Sequence, residues 1–321
     1  MMPRKILHLD LDAFFCSVEE LLDPSLAGKA FAVGGNPQGR GVIASCSYAA
    51  RMKGVRSAMP TSRALQLCPE LLLIRHNHRL YGKYSDEVMS ILRDTSPLVE
   101  QVSVDEAFLD VSDLPQPLRM IAIELQKRVD AETHLPCSLG GASNKLVAKM
   151  ANDYGKRQIR TGKAPRAITI VEPGDEQAFL APLDIQALWG FGPKTADKLR
   201  QRGINRIGQL TELSDFELRA FFGNHYSEIL DRAKGIDTRP VYDSEQEPKS
   251  VSNETTYYSD TDDLEQIKET LRWLSDKVCY RLRKHNLAGS CVQIKIRYSD
   301  FSTITRQKML PQPSNLDDEI F

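Results

Sequence analysis

The segment Lys5–Phe15, KILHLDLDAFF, constrains the fold more than any other stretch of the chain. Its apolar and polar residues alternate, which is typical of a β-strand. In a strand the three leucines share one face and can be buried, while Asp10 and Asp12 share the other. An aromatic pair and a helical pattern follow at once. We therefore expect a central strand whose end presents carboxylates, with aspartates that only cap the next helix as the alternative.

A second acidic segment, Val99–Asp113, is typical of a strand, a turn and a strand, with Asp105 and Glu106 adjacent at the turn. If Asp10 lies on a neighbouring strand, the three acids form a cluster. Like charges at such separations raise one another's pKa unless a cation neutralises them. Mg²⁺ is the natural partner for such oxygen ligands. Two such ions about 3.5–4 Å apart drive in-line phosphoryl transfer.

Small residues crowd the segment Gly41–Pro60, so a ligand can approach its backbone closely. Tyr48 and Arg51 lie three residues apart in a predicted helix and therefore share a face. A tyrosine hydroxyl beside a guanidinium group can hold a phosphate. A surface tyrosine stacked on an arginine is the alternative.

Composition bounds the class of protein. With 321 residues, 41% hydrophobic and 26% charged, two or three globular domains are expected. The sequence contains no apolar run of about 18 residues, so no membrane span is predicted. No signal peptide is visible. The six cysteines form no CxxC pair. They are expected to be reduced core residues of a cytosolic protein rather than disulfides or zinc ligands.

Charge distribution points to a polyanionic partner. The net charge is −1, yet basic residues dominate Lys145–Arg166 and Lys277–Lys308. Such basic segments suit a nucleic acid that contacts one side of the protein, although solvated faces are the alternative.

The segment Leu188–Leu210 carries a helix-hairpin-helix signature, with two glycines before Pro193. Backbone N–H groups at that helix start can face a DNA phosphate, with an ordinary helical turn as the alternative.

Three motifs, DLDAFF (Asp10–Phe15), SYAARMKGVRSAMP (Ser47–Pro60) and SVDEAFLD (Ser103–Asp110), occur in this order. Together they resemble the Y-family translesion DNA polymerases of the DinB branch. The resemblance implies an α+β multidomain, right-hand polymerase. Its expected parts are a ferredoxin-like palm (1–12 and 79–172), small fingers (13–78), a helical helix-hairpin-helix thumb (173–236), a linker (237–248) and an α/β little finger (249–321). The little finger is expected to be C-terminally truncated, with its sheet lacking a strand.

The resemblance also implies a site. It makes Asp10, Asp105 and Glu106 the catalytic, metal-binding carboxylates for two Mg²⁺ ions, for which Mn²⁺ can substitute, and it adds the backbone carbonyl of Leu11 as a ligand. The implied nucleotide-binding residues are Phe14, Phe15 as the steric gate against a 2′-hydroxyl, Val42, Ala44, Tyr48, Arg51 and Lys156. The implied DNA-binding residues are Gly190, Gly192, Lys194, Thr195, Lys295, Arg297 and Arg306. Asp12 is left with a structural role.

One departure from the family pattern affects the triphosphate contact. Arg157 stands where the family has a proline after the lysine, and the loop Arg157–Arg166 is longer than usual. Arg157 or Lys163 can therefore share the role that the resemblance assigns to Lys156.

The implied function is template-directed DNA synthesis of the translesion type, by two-metal phosphoryl transfer, with low fidelity and no proofreading. The expected partners are primer-template DNA, a dNTP and a sliding clamp that binds a C-terminal tail absent from this sequence. A monomer without membrane association is expected, in the cytoplasm and on the nucleoid of a prokaryote. The alternatives are a catalytically silent polymerase-like scaffold or DNA-binding adaptor, and another two-metal palm enzyme such as a nucleotidyl cyclase.

Overall fold

The computed structural model describes residues 3–243 and 248–321. Residues 244–247 of the predicted linker (237–248) lie outside the described residues. The chain divides into two compact units. The first comprises Met1–Gly35 and Val42–Glu245, and the second comprises Asn36–Gly41 and Gln246–Phe321.

Both regular element types occur along the chain. The strands are β1 (Ile6–Leu11), β2 (Phe31–Gly34), β3 (Ile43–Cys46), β4 (Leu72–Ile74), β5 (Val99–Gln101), β6 (Glu106–Asp110), β7 (Cys137–Ala142), β8 (Ile168–Ile170), β9 (Gly289–Arg297) and β10 (Thr303–Ser314). The helices are α1 (Phe14–Leu22), α2 (Tyr48–Met52), α3 (Thr61–Leu67), α4 (His78–Thr95), α5 (Leu118–Thr133), α6 (Lys145–Gln158), α7 (Glu176–Leu180), α8 (Pro193–Arg200), α9 (Asp215–Phe222), α10 (Tyr226–Ala233), α11 (Leu264–Lys284) and α12 (Asp317–Ile320). Short 3₁₀ helices cover Pro24–Leu26, Ile185–Ala187, Ile207–Glu212 and Gly223–His225.

The first unit is built on a five-stranded sheet with the order β5-β6-β1-β7-β8. The strand β1 lies at its centre and pairs antiparallel with both β6 and β7. Only β7 and β8 run parallel in this sheet as described. The predicted central strand and the predicted hairpin at Asp105 are both present.

The two faces of this sheet are covered differently. The leucines of β1 pack into one hydrophobic core with apolar residues of α4 and α5. On the other face, Ile6 of β1 and Phe108 of β6 pack against α6 in a second core. The helix α6 approaches the sheet closely at Gly140, where an added Cβ would lie 2.0 Å from the backbone oxygen of Ala148. The face that carries Asp10 and Asp12 is therefore partly covered by the helix α6.

A smaller sheet, ordered β3-β2-β4, forms a separate cluster with α2 and α3. The second unit contains the long helix α11 and the antiparallel strand pair β9 and β10. No helix in the described ranges has the length and apolar character needed to cross a membrane. All six cysteines are free, and five of them are buried.

Candidate active site

The pairing of β1 with β6 brings the predicted acidic residues together. Asp10 lies directly opposite Glu106 in the strand register, so both side chains leave the same face of the sheet. Asp105 precedes β6, and its backbone carbonyl accepts a hydrogen bond from the Leu11 N–H at 2.9 Å. The three acids therefore lie at one end of the central strand pair, beside the predicted carbonyl ligand Leu11.

Two lysines of α6 neutralise two of these carboxylates. Lys149 Nζ donates to both carboxylate oxygens of Glu106 at 3.0 Å. Lys156 Nζ forms an ion pair with Asp10. Because the lysines are seven residues apart, they lie on the same face of α6, two turns from each other. The ammonium group predicted to meet a triphosphate thus contacts an acid of the same site.

Asp105 has a local partner instead. Its Oδ1 accepts a hydrogen bond from the hydroxyl of Ser103 at 2.5 Å. Each of the three acids therefore has its own partner, and their carboxylates do not converge on one position. Within residues 3–243 and 248–321, no three or more Asp, Glu, His or Cys side chains converge as a ready metal-binding group.

Burial and neighbouring charge change the ionisation of these groups. Burial raises the pKa of Asp10 to about 7, and the nearby carboxylates of Glu106 and Asp105 act in the same direction, against Lys156. The pKa of Glu106 is lowered by the imidazole of His8, which faces it, and by Lys149. Burial opposes the charge on Lys156, but the acids around it raise its pKa above the usual value.

The donor set fits a hard divalent cation. It consists of carboxylate oxygens and a backbone carbonyl, the ligands that Mg²⁺ prefers. The acids Asp10, Asp105 and Glu106 lie close enough together that their like charges need compensation by cations. Two ammonium groups supply part of that compensation here, and a cation can replace them only if the acids turn away from Lys149 and Lys156.

A cleft of about 240 Å³ opens beside the acids. It brings together eight of the predicted residues, namely Asp10, Leu11, Phe14, Phe15, Ala44, Arg51, Asp105 and Lys156. Glu106, Val42 and Tyr48 are not part of its lining. Ala13, Ser45 and Ser57 line it and were not predicted, although the run of small residues had already marked the segment that contains both serines.

Tyr48 and Arg51 meet as the spacing predicted. The Arg51 guanidinium carbon lies 4.6 Å from the centre of the Tyr48 ring. The Tyr48 hydroxyl is buried and has no hydrogen-bond partner in the described part of the chain. Burial also raises its pKa. A buried hydroxyl without a partner is unfavourable, and because Tyr48 does not line the cleft, a ligand there reaches this hydroxyl only if neighbouring side chains move.

The two phenylalanines differ in environment. Phe14 is 3% exposed and belongs to the core. The ring of Phe15 is partly exposed and stacks on Tyr81 at 4.2 Å between centroids and an interplanar angle of 15°. Ala13, just before them, has φ 48° and ψ 44°, an unusual conformation for a residue with a Cβ. This turn connects the acidic end of β1 directly to the half-buried ring of Phe15.

Several basic residues of the segment Lys145–Arg166 form ion pairs with acids of the same chain. Lys145 is 3% exposed and ion-paired with Glu100 at 2.7 Å, and Arg166 pairs with Asp130 at 2.8 Å. With Lys149 and Lys156 bound to the active-site acids, these residues balance acids within the fold. The basic composition of Lys145–Arg166 therefore does not by itself indicate a nucleic-acid-binding surface at these four positions.

The predicted hairpin residues surround the start of α8. Gly190 has φ 93°, a conformation that favours glycine. Gly192 is the N-cap of α8, and Lys194 is exposed, while Thr195 is half-buried. The element before the turn is a short 3₁₀ helix, Ile185–Ala187.

The basic residues of the second unit lie on different faces of its sheet. Lys295 and Arg297 are opposite Thr305 and Thr303, whereas Arg306 is opposite Ile294. Directly opposed residues share a face, and successive residues alternate. Arg306 is therefore on the other face from Lys295 and Arg297, and the three do not form one surface.

Family models match most of the chain. The impB/mucB/samB family model matches residues 9–153, its helix-hairpin-helix motif matches residues 173–204, and its C-terminal domain matches residues 248–321.

Curated proteins named DNA polymerase IV match nearly the whole of this chain. One from Dehalococcoides mccartyi is 42% identical over 100% of this chain and 81% of its own. Others come from Halorhodospira halophila, 40% identical over 97% of this chain and 85% of its own, and Methanoculleus marisnigri, 41% identical over 96% and 85%.

Solved structures share the fold. A Y-family DNA polymerase chimera of Dbh and Dpo4 matches with a TM-score of 0.86 at 24% identity, covering 98% of this chain and 90% of its own. An insertion ternary complex of Dbh DNA polymerase matches with a TM-score of 0.69 at 23% identity over 98% and 90%. The predicted α+β polymerase fold is thereby confirmed. The chain belongs to the impB/mucB/samB family, the family of Y-family polymerases that includes the proteins named DNA polymerase IV.

Proposed function

We propose that this protein is a DNA-directed DNA polymerase of the translesion type, which adds dNTPs to a primer 3′ end. The observation that carries the proposal is the convergence of Asp10, Asp105 and a half-buried aromatic ring, Phe15, on one cleft, with Arg51 and Lys156 beside them. Acids, cations and a flat apolar surface are what a nucleoside triphosphate and its metal ions require. Relatives named DNA polymerase IV support the same reaction.

The metal-binding residues would be Asp10, Asp105, Glu106 and the carbonyl of Leu11. Two divalent cations, Mg²⁺ in the first instance, would activate the primer hydroxyl and neutralise the leaving pyrophosphate. To bind them, Asp10 must exchange its ion pair with Lys156. The freed ammonium group then lies at the cleft, where it can bind a phosphate.

The remaining residues orient the nucleotide. Arg51 and the unpaired hydroxyl of Tyr48 bind the triphosphate oxygens. The ring of Phe15, fixed by its stacking on Tyr81, lies against the sugar and excludes a 2′-hydroxyl. Ala44, small and exposed, leaves room over the base pair, which favours distorted templates and low fidelity without proofreading.

Primer-template DNA is the proposed macromolecular partner, held by phosphate contacts from Lys194 and Thr195 at the start of α8 and by Lys295 and Arg297. We place the boundaries of palm, fingers, thumb and little finger as the sequence predicted them. Three expectations stay predictions: that the protein is a monomer, that it binds a sliding clamp, and that it is located on the nucleoid. A silent scaffold would have no need for the complete set of acids.

The test is primer extension with Mg²⁺ on undamaged and lesion-bearing templates. We expect extension by the wild type on both templates, none without divalent cation, and none by Asp105→Ala. Asp113→Asn, an exposed acid beyond the end of β6, is the matched control and should extend normally. Wild-type protein that binds primer-template DNA yet never extends it would contradict the proposal and favour the scaffold.

A further inference from the structure

His8 is a buried histidine next to the proposed metal site. It is 0% exposed and lies in the middle of β1, opposite Phe108 on β6 and Gly140 on β7. Its side chain is on the same face as Asp10, two residues further along. Neither the motifs nor the proposed mechanism so far give it a role.

Asn152 on α6 determines which nitrogen of His8 carries the proton. Its amide Nδ2 lies 3.0 Å from His8 Nδ1, 3.2 Å from the His8 carbonyl oxygen and 3.0 Å from the Ser138 carbonyl oxygen. Carbonyl oxygens only accept hydrogen bonds, so the amide atom that faces them is the nitrogen. An amide nitrogen cannot accept a hydrogen bond, so an Nδ1–H facing it would have no acceptor; Nδ1 is therefore unprotonated, and the ring is neutral with its proton on Nε2.

The Nε2–H of His8 points to Glu106. Its distance to Glu106 Oε2 is 3.7 Å, longer than the roughly 3.2 Å limit of a good hydrogen bond. Nε2 has no other partner among the residues that the structure describes, and a buried donor without an acceptor is unfavourable. Lys149 holds both oxygens of Glu106 at 3.0 Å in this state. A small turn of the carboxylate away from Lys149 would give His8 its acceptor.

We propose that His8 is a positioning residue for Glu106: its Nε2–H, oriented by Asn152, donates to the carboxylate and holds it in the orientation that binds a divalent cation. Histidines that support metal ligands in this way increase metal affinity without contacting the metal. The inference rests on the proposed function, because it takes Glu106 as a metal ligand.

The experiment measures Mn²⁺ binding by electron paramagnetic resonance. It uses the full chain with primer-template DNA, a dideoxy-terminated primer and the next dNTP, so no turnover occurs. His8→Phe keeps a ring but removes the donor, and should weaken Mn²⁺ binding about tenfold or more. His8→Gln restores an N–H at the same reach and should recover most of the affinity.

Phe108→Leu is the control for general loosening. Phe108 packs against His8 with ring centroids 4.7 Å apart, so its truncation disturbs the same layer but leaves Nε2–H in place. It should lower the unfolding midpoint and leave Mn²⁺ affinity unchanged. Equal weakening by His8→Phe, His8→Gln and Phe108→Leu would overturn the proposal, as would wild-type affinity in His8→Phe. Wild-type protein that bound no Mn²⁺ would refute the proposed function and this inference together.

A measurement on the wild type needs no variant to fold. Nitrogen-15 NMR should show His8 as the Nε2–H tautomer. Its proton resonance should move downfield when Mg²⁺, dNTP and the dideoxy-terminated DNA are added. An Nδ1–H tautomer, or a resonance that does not change, would overturn the inference.

Discussion

The unpartnered hydroxyl of Tyr48 leads to a substitution that should have opposite effects on stability and on substrate binding. Tyr48→Phe removes a buried polar atom that has no partner in the described structure. Leaving such a group unsatisfied costs about 1–3 kcal/mol. We therefore expect the free energy of unfolding to rise by about 1 kcal/mol. Substrate binding should weaken instead, because the hydroxyl is lost as a donor to the triphosphate.

The size of that loss follows from the chemistry of the bond. A hydrogen bond to a charged group is worth about 1.5–3 kcal/mol, which corresponds to an increase in the KM for dNTP of about ten- to a hundredfold. Urea unfolding gives the first quantity, and steady-state primer extension with a single dNTP gives the second.

Tyr81→Phe is the matched control, since Tyr81 is also a buried tyrosine close to Phe15. Its hydroxyl donates to Glu19 Oε1 at 2.6 Å. Removing this bond should lower the free energy of unfolding by about 1 kcal/mol, while the retained ring leaves the KM for dNTP unchanged. If Tyr48→Phe instead lowered stability and left KM unchanged, the hydroxyl would have no role toward a ligand and the reasoning would be refuted.

Three further predictions concern the gate, the buried ion pair and DNA binding. Phe15→Ala should reduce discrimination against ribonucleotides by about 10- to 100-fold, a range expected for steric exclusion in a pocket; primer extension with rNTPs measures it, and unchanged discrimination would remove the gate from Phe15. Lys145→Met should lower the free energy of unfolding by about 1–3 kcal/mol, because it removes the ion pair from a half-buried Glu100 and leaves only the Tyr242 N–H as a partner; no measurable loss in urea unfolding would contradict this. The affinity for primer-template DNA should fall with salt, by a logarithmic slope of about −0.9 for each phosphate contact; fluorescence anisotropy measures it, and a flat dependence would exclude a phosphate-based interface.

The acidic site was predictable because strand alternation and motif order carry its geometry. Alternation in KILHLDLDAFF placed Asp10 on the face away from the leucines, and the turn at Asp105 placed a second strand where it could be a neighbour. The exact opposition of Asp10 and Glu106 depends on the antiparallel register of β1 and β6. The family resemblance implied that the two acids share a site, but it did not give that register.

The ion pairs of the α6 lysines could not be predicted because their partners are remote in sequence. Lys145 pairs with an acid 45 residues away, Lys149 with one 43 away, and Lys156 with one 146 away. A local count of charge cannot see such partners, so a row of internal ion pairs looks like a binding stripe. The same limit hid the stacking of Phe15 on Tyr81.

The face of Arg306 could not be read without the register of its hairpin. Which face of β10 matches which face of β9 depends on how many residues form the turn. One residue of difference moves every side chain to the opposite face. The structure pairs Arg306 with Ile294, which separates it from Lys295.

The most direct test of the account is single-nucleotide addition by Glu106→Gln, with DNA affinity measured alongside. The substitution keeps the size of the side chain and removes the charge opposite Asp10. We expect the rate of addition with Mg²⁺ to fall by about a thousandfold, as the loss of several kcal/mol of metal-assisted stabilisation requires, while DNA affinity changes little. Asp110→Asn, four residues along the same strand, should keep the wild-type rate. Addition by Glu106→Gln at the wild-type rate would contradict the claim that this carboxylate cluster performs the chemistry.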